Sequence, residues 1–484
     1  MLKLRVGILS ALLLGTATVV GAETGSPTVL PNLFPFPNPH GILKTFNESG
    51  KLDLTGPFFQ SLGTNGRSCA SCHQASDAWS VSAAHVAQRF EETQGLDPIF
   101  RPNDGSNCDH SIDTTTVEGR RQAYSLLTSR GLIRIALPVP ANAEFEVISV
   151  SNPYGCSETS TLSMYRRTLP STNIRFMTTL MWDGRESSTQ TGTKPIVPST
   201  LGQELPFDLR HQSLDATNGH AQGSTPLTEQ QQQQIVNFEM GLSTAQAVDF
   251  GAGSLKSHGA HGGPVALFNQ FFYVGINDPL GQNPVPNTPF NPVIFTLFTP
   301  TWVHAQSDDD RNDNGNDDRA ARRASILRGQ TLFNSHPIAI KGVNGINDAL
   351  GVDTLPGTCG TCHDSPNVGN HSVIAPLNIG LADVGNPLNP LGVDYLPVIK
   401  LRQKADHTKV ISTTDPGRAL VTGKWADIGK FKGPILRALS ARAPYFHNGS
   451  AESLKDVVEF YNVRFNMGLT ESEKADLAAF LSAL

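Results

Sequence analysis

Charge is scarce in this chain. Asp, Glu, Lys and Arg make up 17% of its 484 residues, and 37 basic against 43 acidic residues leave a formal net charge of -6. A chain of this size with so small a net charge has no broad electrostatic commitment to a polyanion, which argues against a nucleic-acid binder. Long apolar runs are missing too. The one at the N-terminus, Val6 to Val20, is short for a membrane span. Lys3 and Arg5 precede it and Val20-Gly21-Ala22 ends it, the layout of a secretory signal expected over residues 1–22, with an uncleaved anchor as the alternative. No other stretch approaches transmembrane length, so no span is expected after signal removal. Six cysteines are few, and four of them fall in one repeated pattern. By contrast 44 Gly and 33 Pro imply many loops, in a chain long enough for two or three domains.

The repeated pattern is Cys-x-x-Cys-His. It stands first in Arg67-Ser68-Cys69-Ala70-Ser71-Cys72-His73, the spacing that attaches a c-type haem. Two thiols two residues apart reach the two vinyl groups along one porphyrin edge, and the adjacent imidazole turns under the ring as an axial iron ligand. Alone, the pattern would also suit a redox dithiol or half a zinc site. Cys359-Gly360-Thr361-Cys362-His363 repeats it, and the chain reads as a protein with two covalently bound haem c groups. Bacteria attach such haems after export, so the mature protein is expected in a periplasm. Cys108 and Cys156 remain. An oxidising compartment favours a disulfide between them, and two unrelated buried thiols are the other reading.

Along the chain, Ala83 to Gln94 has the spacing of an amphipathic helix and carries His85, either a second ligand for the first haem or a solvent-facing side chain. Phe58 and Phe59, just before the first motif, suit packing on a porphyrin or ordinary core. Leu132 to Leu137 and Phe145 to Val150 alternate with period two and predict a small hairpin inserted at about residues 105–160. Gln230 to Ala247 reads as a helix, and Gly251 to Gln306 as loop whose apolar side chains cover something. Asp310, Asn312, Asn314 and Gly315 match the opening of a calcium loop, but Ala321 stands where the closing glutamate belongs. That acidic run, residues 307–319, is the expected linker between an N-terminal haem domain (23–306) and a C-terminal one (320–484). Asp318 to Phe333, Leu454 to Tyr461 and Thr470 to Leu484 read as helices of the second.

Taken together, the two haem motifs, Trp182-Asp183-Gly184-Arg185, Arg328-Gly329-Gln330-Thr331-Leu332-Phe333 and Ala443-Pro444-Tyr445-Phe446-His447-Asn448-Gly449-Ser450 resemble the bacterial dihaem cytochrome c peroxidases, including the MauG-type oxidases. The resemblance implies a mainly α fold of two cytochrome c-like haem domains, with a small β insertion and long loops. It implies a peroxidatic N-terminal haem on Cys69, Cys72 and His73, and a C-terminal haem on Cys359, Cys362 and His363 that receives electrons. Trp182 would lie between them. A calcium ion at the domain interface would take the Asn173 side chain and the Arg442 and Pro444 carbonyls.

Two departures from the family pattern bear on chemistry. The peroxidases place a methionine ligand fourteen residues after the histidine of the Pro-Tyr-Phe-His motif. Here that position, counted from His447, is Tyr461, the MauG-like arrangement, with Met467 as the rival ligand. A phenolate favours ferric iron where a thioether favours ferrous. In the distal pocket the family's glutamine and acid correspond to Gln212 and to His220, with Glu204 as the competing acid; a histidine can move a proton as a carboxylate does. The expected function is periplasmic reduction of hydrogen peroxide to water with electrons from a small c-type cytochrome or cupredoxin. The alternatives are a MauG-like oxidase of a protein or organic substrate, and a non-catalytic dihaem electron carrier. A homodimer is compatible with each.

Overall fold

The computed structural model describes residues 28–189, 204–305 and 316–484. The expected signal, the calcium-loop residues Asp310, Asn312, Asn314 and Gly315, and all but the last four residues of the 307–319 linker lie outside them. Among the described residues, twelve α-helices accompany thirteen strands in five small sheets. The fold is therefore mixed, not mainly α. Many of the strands are only two to four residues long and sit between loops, which is why sequence periodicity misses them. No helix among the described residues is long and apolar enough to cross a membrane.

The expected helices at 83–94, 318–333, 454–461 and 470–484 are present as Ala83–Thr93, Asn316–Ser335, Leu454–Arg464 and Glu471–Ser482. Gln230 to Ala247 is corrected. The helix Glu229–Met240 stops, and Leu242–Asp249 continues as a strand paired with Gly41–Asn47. The inserted hairpin is also corrected. Leu132–Pro138 pairs with Thr161–Arg167, while Phe145–Ser151 crosses to Val398–Gln403 in the C-terminal part of the chain. Period-two alternation identifies strands but is silent about partners, because pairing is set by tertiary packing.

The C-terminal core explains the Gly/Pro-rich stretch before the linker. Helices Asn316–Ser335 and Glu471–Ser482 cross at Gly329, where a Cβ would sit 2.0 Å from the Asp476 carbonyl. Onto that pair lie Phe295 and Phe298, in ring contact with Phe480, and Phe295 also meets Phe333 at 5.1 Å. A buried loop must satisfy its backbone. Here the Gln330 amide accepts from the Leu297 and Phe298 N–H groups and donates to the Phe298 carbonyl, and Asn334 does the same for Ile294 and Phe295. Residues 294–303, assigned from sequence to the N-terminal side, thus belong to the core of the C-terminal helices.

Candidate haem sites

The two Cys-x-x-Cys-His motifs fold identically, for a reason visible in their flanks. Each opens with a hydroxyl residue, Ser68 or Thr358, and carries another three positions on, Ser71 or Thr361. These close reciprocal capping boxes around the 3₁₀ turns Cys69–Ser71 and Cys359–Thr361. The turn brings the His73 N–H to the Cys69 carbonyl at 3.0 Å, and the His363 N–H to that of Cys359 at 3.1 Å. Each imidazole is oriented through Nδ1. His73 bonds the Trp79 carbonyl at 2.9 Å and His363 that of Gly369 at 2.7 Å, six residues on in both cases. That fixes the tautomer and leaves Nε2 for a metal. Burial holds His73 down at about 4 and lowers His363, which favours in each the neutral form that can ligate a metal.

Behind each motif opens a cavity, about 1370 Å³ at the first and 1650 Å³ at the second with their mouths included. The four motif cysteines form no disulfide. Burial pushes the Cys69, Cys359 and Cys362 thiols up to about 12, opposite to the depression that redox dithiols and thiolate metal sites need. Paired thiols, an oriented histidine and a large cavity at each motif fit a covalently held haem.

The first cavity is closed by helix Leu205–Gly219. Leu209, Gln212, Ser213, Ala216, Thr217 and, just past its end, His220 follow helical spacing and line the cavity along one face. His220 Nδ1 meets the Asp104 carboxylate, which also pairs with Arg67. Burial opposes the Asp104 charge, yet His220 and Arg67 hold its carboxyl below the usual range. Glu204, the competing acid, is half-buried ahead of the helix and is not on the cavity. His85 does not line the cavity either; its Nδ1 meets Asp77 at 2.5 Å. Phe58 stacks in the core with Phe59, Trp79 and Phe238, 6.1 Å from the His73 ring. On the His73 side stand two residues without a sequence signal. Ser171 Oγ lies 3.0 Å from His73 Nδ1, and the buried Glu239, pushed up to about 7 by burial, bonds Ser171.

The second cavity receives both rival ligands. Tyr461 and Met467 line it. The Tyr461 hydroxyl has no protein partner among the described residues, and burial together with the nearby Cys362 and Cys359 raises the phenol. Met467 is fixed by its backbone, whose N–H bonds the Asn462 carbonyl at 3.0 Å.

Trp182 lines both cavities. Its indole N–H donates to the Arg167 carbonyl at 2.8 Å, and its ring lies 6.2 Å from that of His447. The following residues lock it in place. Asp183, fully buried, pairs with Arg166 at 2.5 Å and Arg185 at 2.9 Å, and Arg166 continues to Asp415 at 2.7 Å. Burial works against the Asp183 charge, but Arg185 and Arg166 prevail and hold the carboxyl at about 2. Gly184 turns with φ +67°, where a Cβ would meet Arg418 Nη1 at 2.8 Å. That Arg418 nitrogen donates to the Asp183 and Gly184 carbonyls.

The expected calcium ligands fit poorly. Asn173 and Arg442 do line one small cavity. The Asn173 side chain, however, bonds the Thr244 backbone at both ends, at 2.8 and 2.9 Å, and the Arg442 carbonyl accepts from Arg167 at 2.9 Å. The side chains of Arg437 and Arg442 stand on the same wall and oppose a divalent cation. Pro444 faces the second haem cavity instead.

No family model matches the chain. Curated relatives are peroxidases. The cytochrome-c peroxidase IdrP2 of Denitromonas iodatirespirans is 34% identical over 149 residues, 28% of this chain and 38% of that protein. The cytochrome-c peroxidase IdrP1 of the same organism is 30% identical over 187 residues, 34% and 42% of the two chains. The cytochrome c551 peroxidase of Nitrosomonas europaea is 30% identical over 154 residues, 30% and 37%. Over these stretches the chain is similar to bacterial cytochrome-c peroxidases. It spans about two fifths of the length of the relatives it matches. A solved structure of a MauG-like protein associated with microbial copper homeostasis aligns over 96% of this chain and 95% of its own, at 16% identity and a TM-score of 0.35. That likeness is too loose to build on.

Proposed function

We propose that the protein is a periplasmic dihaem c-type peroxidase that reduces hydrogen peroxide to two waters, taking two electrons from a small c-type cytochrome or cupredoxin and two protons from solvent. The observation that carries this reading is the asymmetry between the two cavities. One is lined by a histidine–carboxylate pair and a glutamine, and the other by a tyrosine and a methionine. The haems, when bound, supply the redox chemistry of peroxide cleavage. The protein's part is placement and proton transfer. Asp104 holds His220 through Nδ1, leaving Nε2 free to pass a proton between peroxide oxygens, while Gln212 orients the substrate. Trp182, on both cavities, is the aromatic group through which an electron crosses. The signal-like residues 1–22 support export.

The test is stopped-flow oxidation of a reduced c-type cytochrome or cupredoxin by peroxide, catalysed by the purified holoprotein. His220→Ala should lower kcat/KM roughly 10²–10⁴-fold, the usual worth of a positioned acid–base group. Unchanged turnover in that variant removes His220 from the role. A holoprotein whose spectrum ignores peroxide is an electron carrier.

A second reading has its own observation. The unpartnered Tyr461 hydroxyl on the second cavity favours an oxygen-ligated, oxidation-tolerant iron, as in a MauG-like oxidase. Peroxide consumption that modifies an added protein or organic substrate, with no cytochrome oxidised, would select it.

A further inference from the structure

The cations of this protein divide into two kinds. Arg166, Arg185, Arg67 and Arg322 each meet a buried carboxylate. Arg167, Lys432 and Arg442 meet none, though all three stand on the second haem cavity and Arg167 stands on both. Lys432 is the extreme case. It is only 7% exposed, and among the described residues its ammonium has no hydrogen bond and no ion pair. Burial and the neighbouring Arg442 bring it down to about 7. Arg442 leaves its buried Nε without an acceptor. Arg167 donates only to main-chain carbonyls, those of Arg130, Gly131, Val81 and Arg442. Burial and Arg442 lower it as well.

Three clustered cations with no carboxylate in contact, and only Asp77 acting on Arg167 from further off, are not a stable core, because a buried charge without a paired partner costs several kcal/mol. Their common feature is the cavity behind Cys359, Cys362 and His363. The ligand expected there carries two carboxylates. We infer that Lys432, with Arg442 and Arg167, is the seat for the propionate carboxylates of the C-terminal haem. This rests on the dihaem reading above. The seat is tied to the residue between the cavities on two sides. The Lys432 N–H donates to the Trp182 carbonyl at 2.9 Å, and the Trp182 indole donates to the Arg167 carbonyl at 2.8 Å. Carboxylates seated there would lie beside the wall that Trp182 shares with the first cavity. The seat also raises the haem's potential, since a nearby cation favours the reduced, more negative form.

The test uses the full holoprotein. Its intact mass comes first: without two haem masses the dihaem reading falls, and this inference with it. With two haems present, Lys432→Met and Lys432→Arg are compared with wild type by resonance Raman and spectroelectrochemical titration. Lys432→Met should shift the propionate-bending band and lower one haem's ferrous/ferric ratio at fixed potential about tenfold, about 59 mV for one electron, while Lys432→Arg restores both. A two-haem Lys432→Met protein with neither change overturns this inference alone. A wild-type midpoint that moves with added chloride or phosphate at constant ionic strength assigns the seat to a diffusible anion and also overturns it. Should Lys432→Met fail to fold, a crystal structure of the wild-type holoprotein decides. Lys432 Nζ within hydrogen-bond distance of a propionate oxygen supports the seat, and Nζ away from any propionate refutes it.

Discussion

Replacing Asp183 by Asn tests whether the Trp182 wall is held by charge. The substitution keeps the shape but removes the charge that two guanidiniums share, those of Arg166 at 2.5 Å and Arg185 at 2.9 Å. Breaking a buried pair from one side costs about 3–5 kcal/mol when the remaining charge is left alone. Here Arg166 keeps Asp415 at 2.7 Å and Arg185 is partly solvated, so the lower figure is the ceiling. The depression of Asp183 from 3.8 to about 2 corresponds to roughly 2–3 kcal/mol at about 1.4 kcal/mol per pH unit. The sign follows from linkage: a carboxyl lowered by folding stabilises above its unfolded value of 3.8, and that contribution disappears as pH falls toward 2. Guanidinium titrations of wild type and Asp183→Asn should thus differ by about 2–3 kcal/mol at pH 7 and by about half as much at pH 3. A difference below about 0.5 kcal/mol at pH 7, or one that does not shrink in acid, would refute the argument.

Further outcomes follow from the same geometry. Replacing both Cys69 and Cys72 by Ala should leave a protein one haem lighter by intact mass, with the second still attached. Tyr461→Met should create a near-infrared methionine–ferric haem band and raise the potential, and Met467→Leu should change neither; loss of the low-spin signal in Met467→Leu but not in Tyr461→Phe would reverse the assignment. The Cys108–Cys156 bond closes a loop with a sequence separation of 48, and its removal by Cys→Ser at both positions should cost about 4 kcal/mol on the chain-entropy account, seen as a lower guanidinium midpoint; thiol labelling of the unfolded, unreduced chain should find neither sulfur free.

The haem sites were legible because their information is local. Two cysteines, a histidine and the flanking Ser68/Ser71 or Thr358/Thr361 pairs lie within six residues, and short-range hydrogen bonds suffice to build each turn. The helix Leu205–Gly219 was not read from local pattern; Gln212 and His220 were named only through the resemblance, and the structure puts them on one face of that helix and just past its end, respectively. Strand partners were not legible, because Phe145–Ser151 pairs with a segment about 250 residues away that no short-range pattern encodes. Nor were Asp104, Glu239 and Lys432. A buried charge looks in sequence like any surface charge, and its meaning comes only from the partners that folding supplies or withholds. Glu204 illustrates the converse: a carboxylate at a plausible spacing that the helix start turns away from the cavity.

The crossing strands also bear on how the two sites communicate. Were each cavity enclosed by its own half of the chain, one site could be altered without touching the other. The wall is instead composite. Arg166, which also holds Asp183, reaches Asp415, the Asp183 and Gly184 carbonyls accept from Arg418, and the Trp182 carbonyl accepts from Lys432. The bonds to Asp415, Arg418 and Lys432 each join residues 166–184 to residues 415–432. A buried ion-pair chain of this kind resists small displacement, because moving either partner leaves a charge uncompensated. Trp182 is therefore positioned by groups from both halves, and a change at Asp415 or Arg418, on the second half, should disturb the first cavity as directly as a change at Arg185, which lines it.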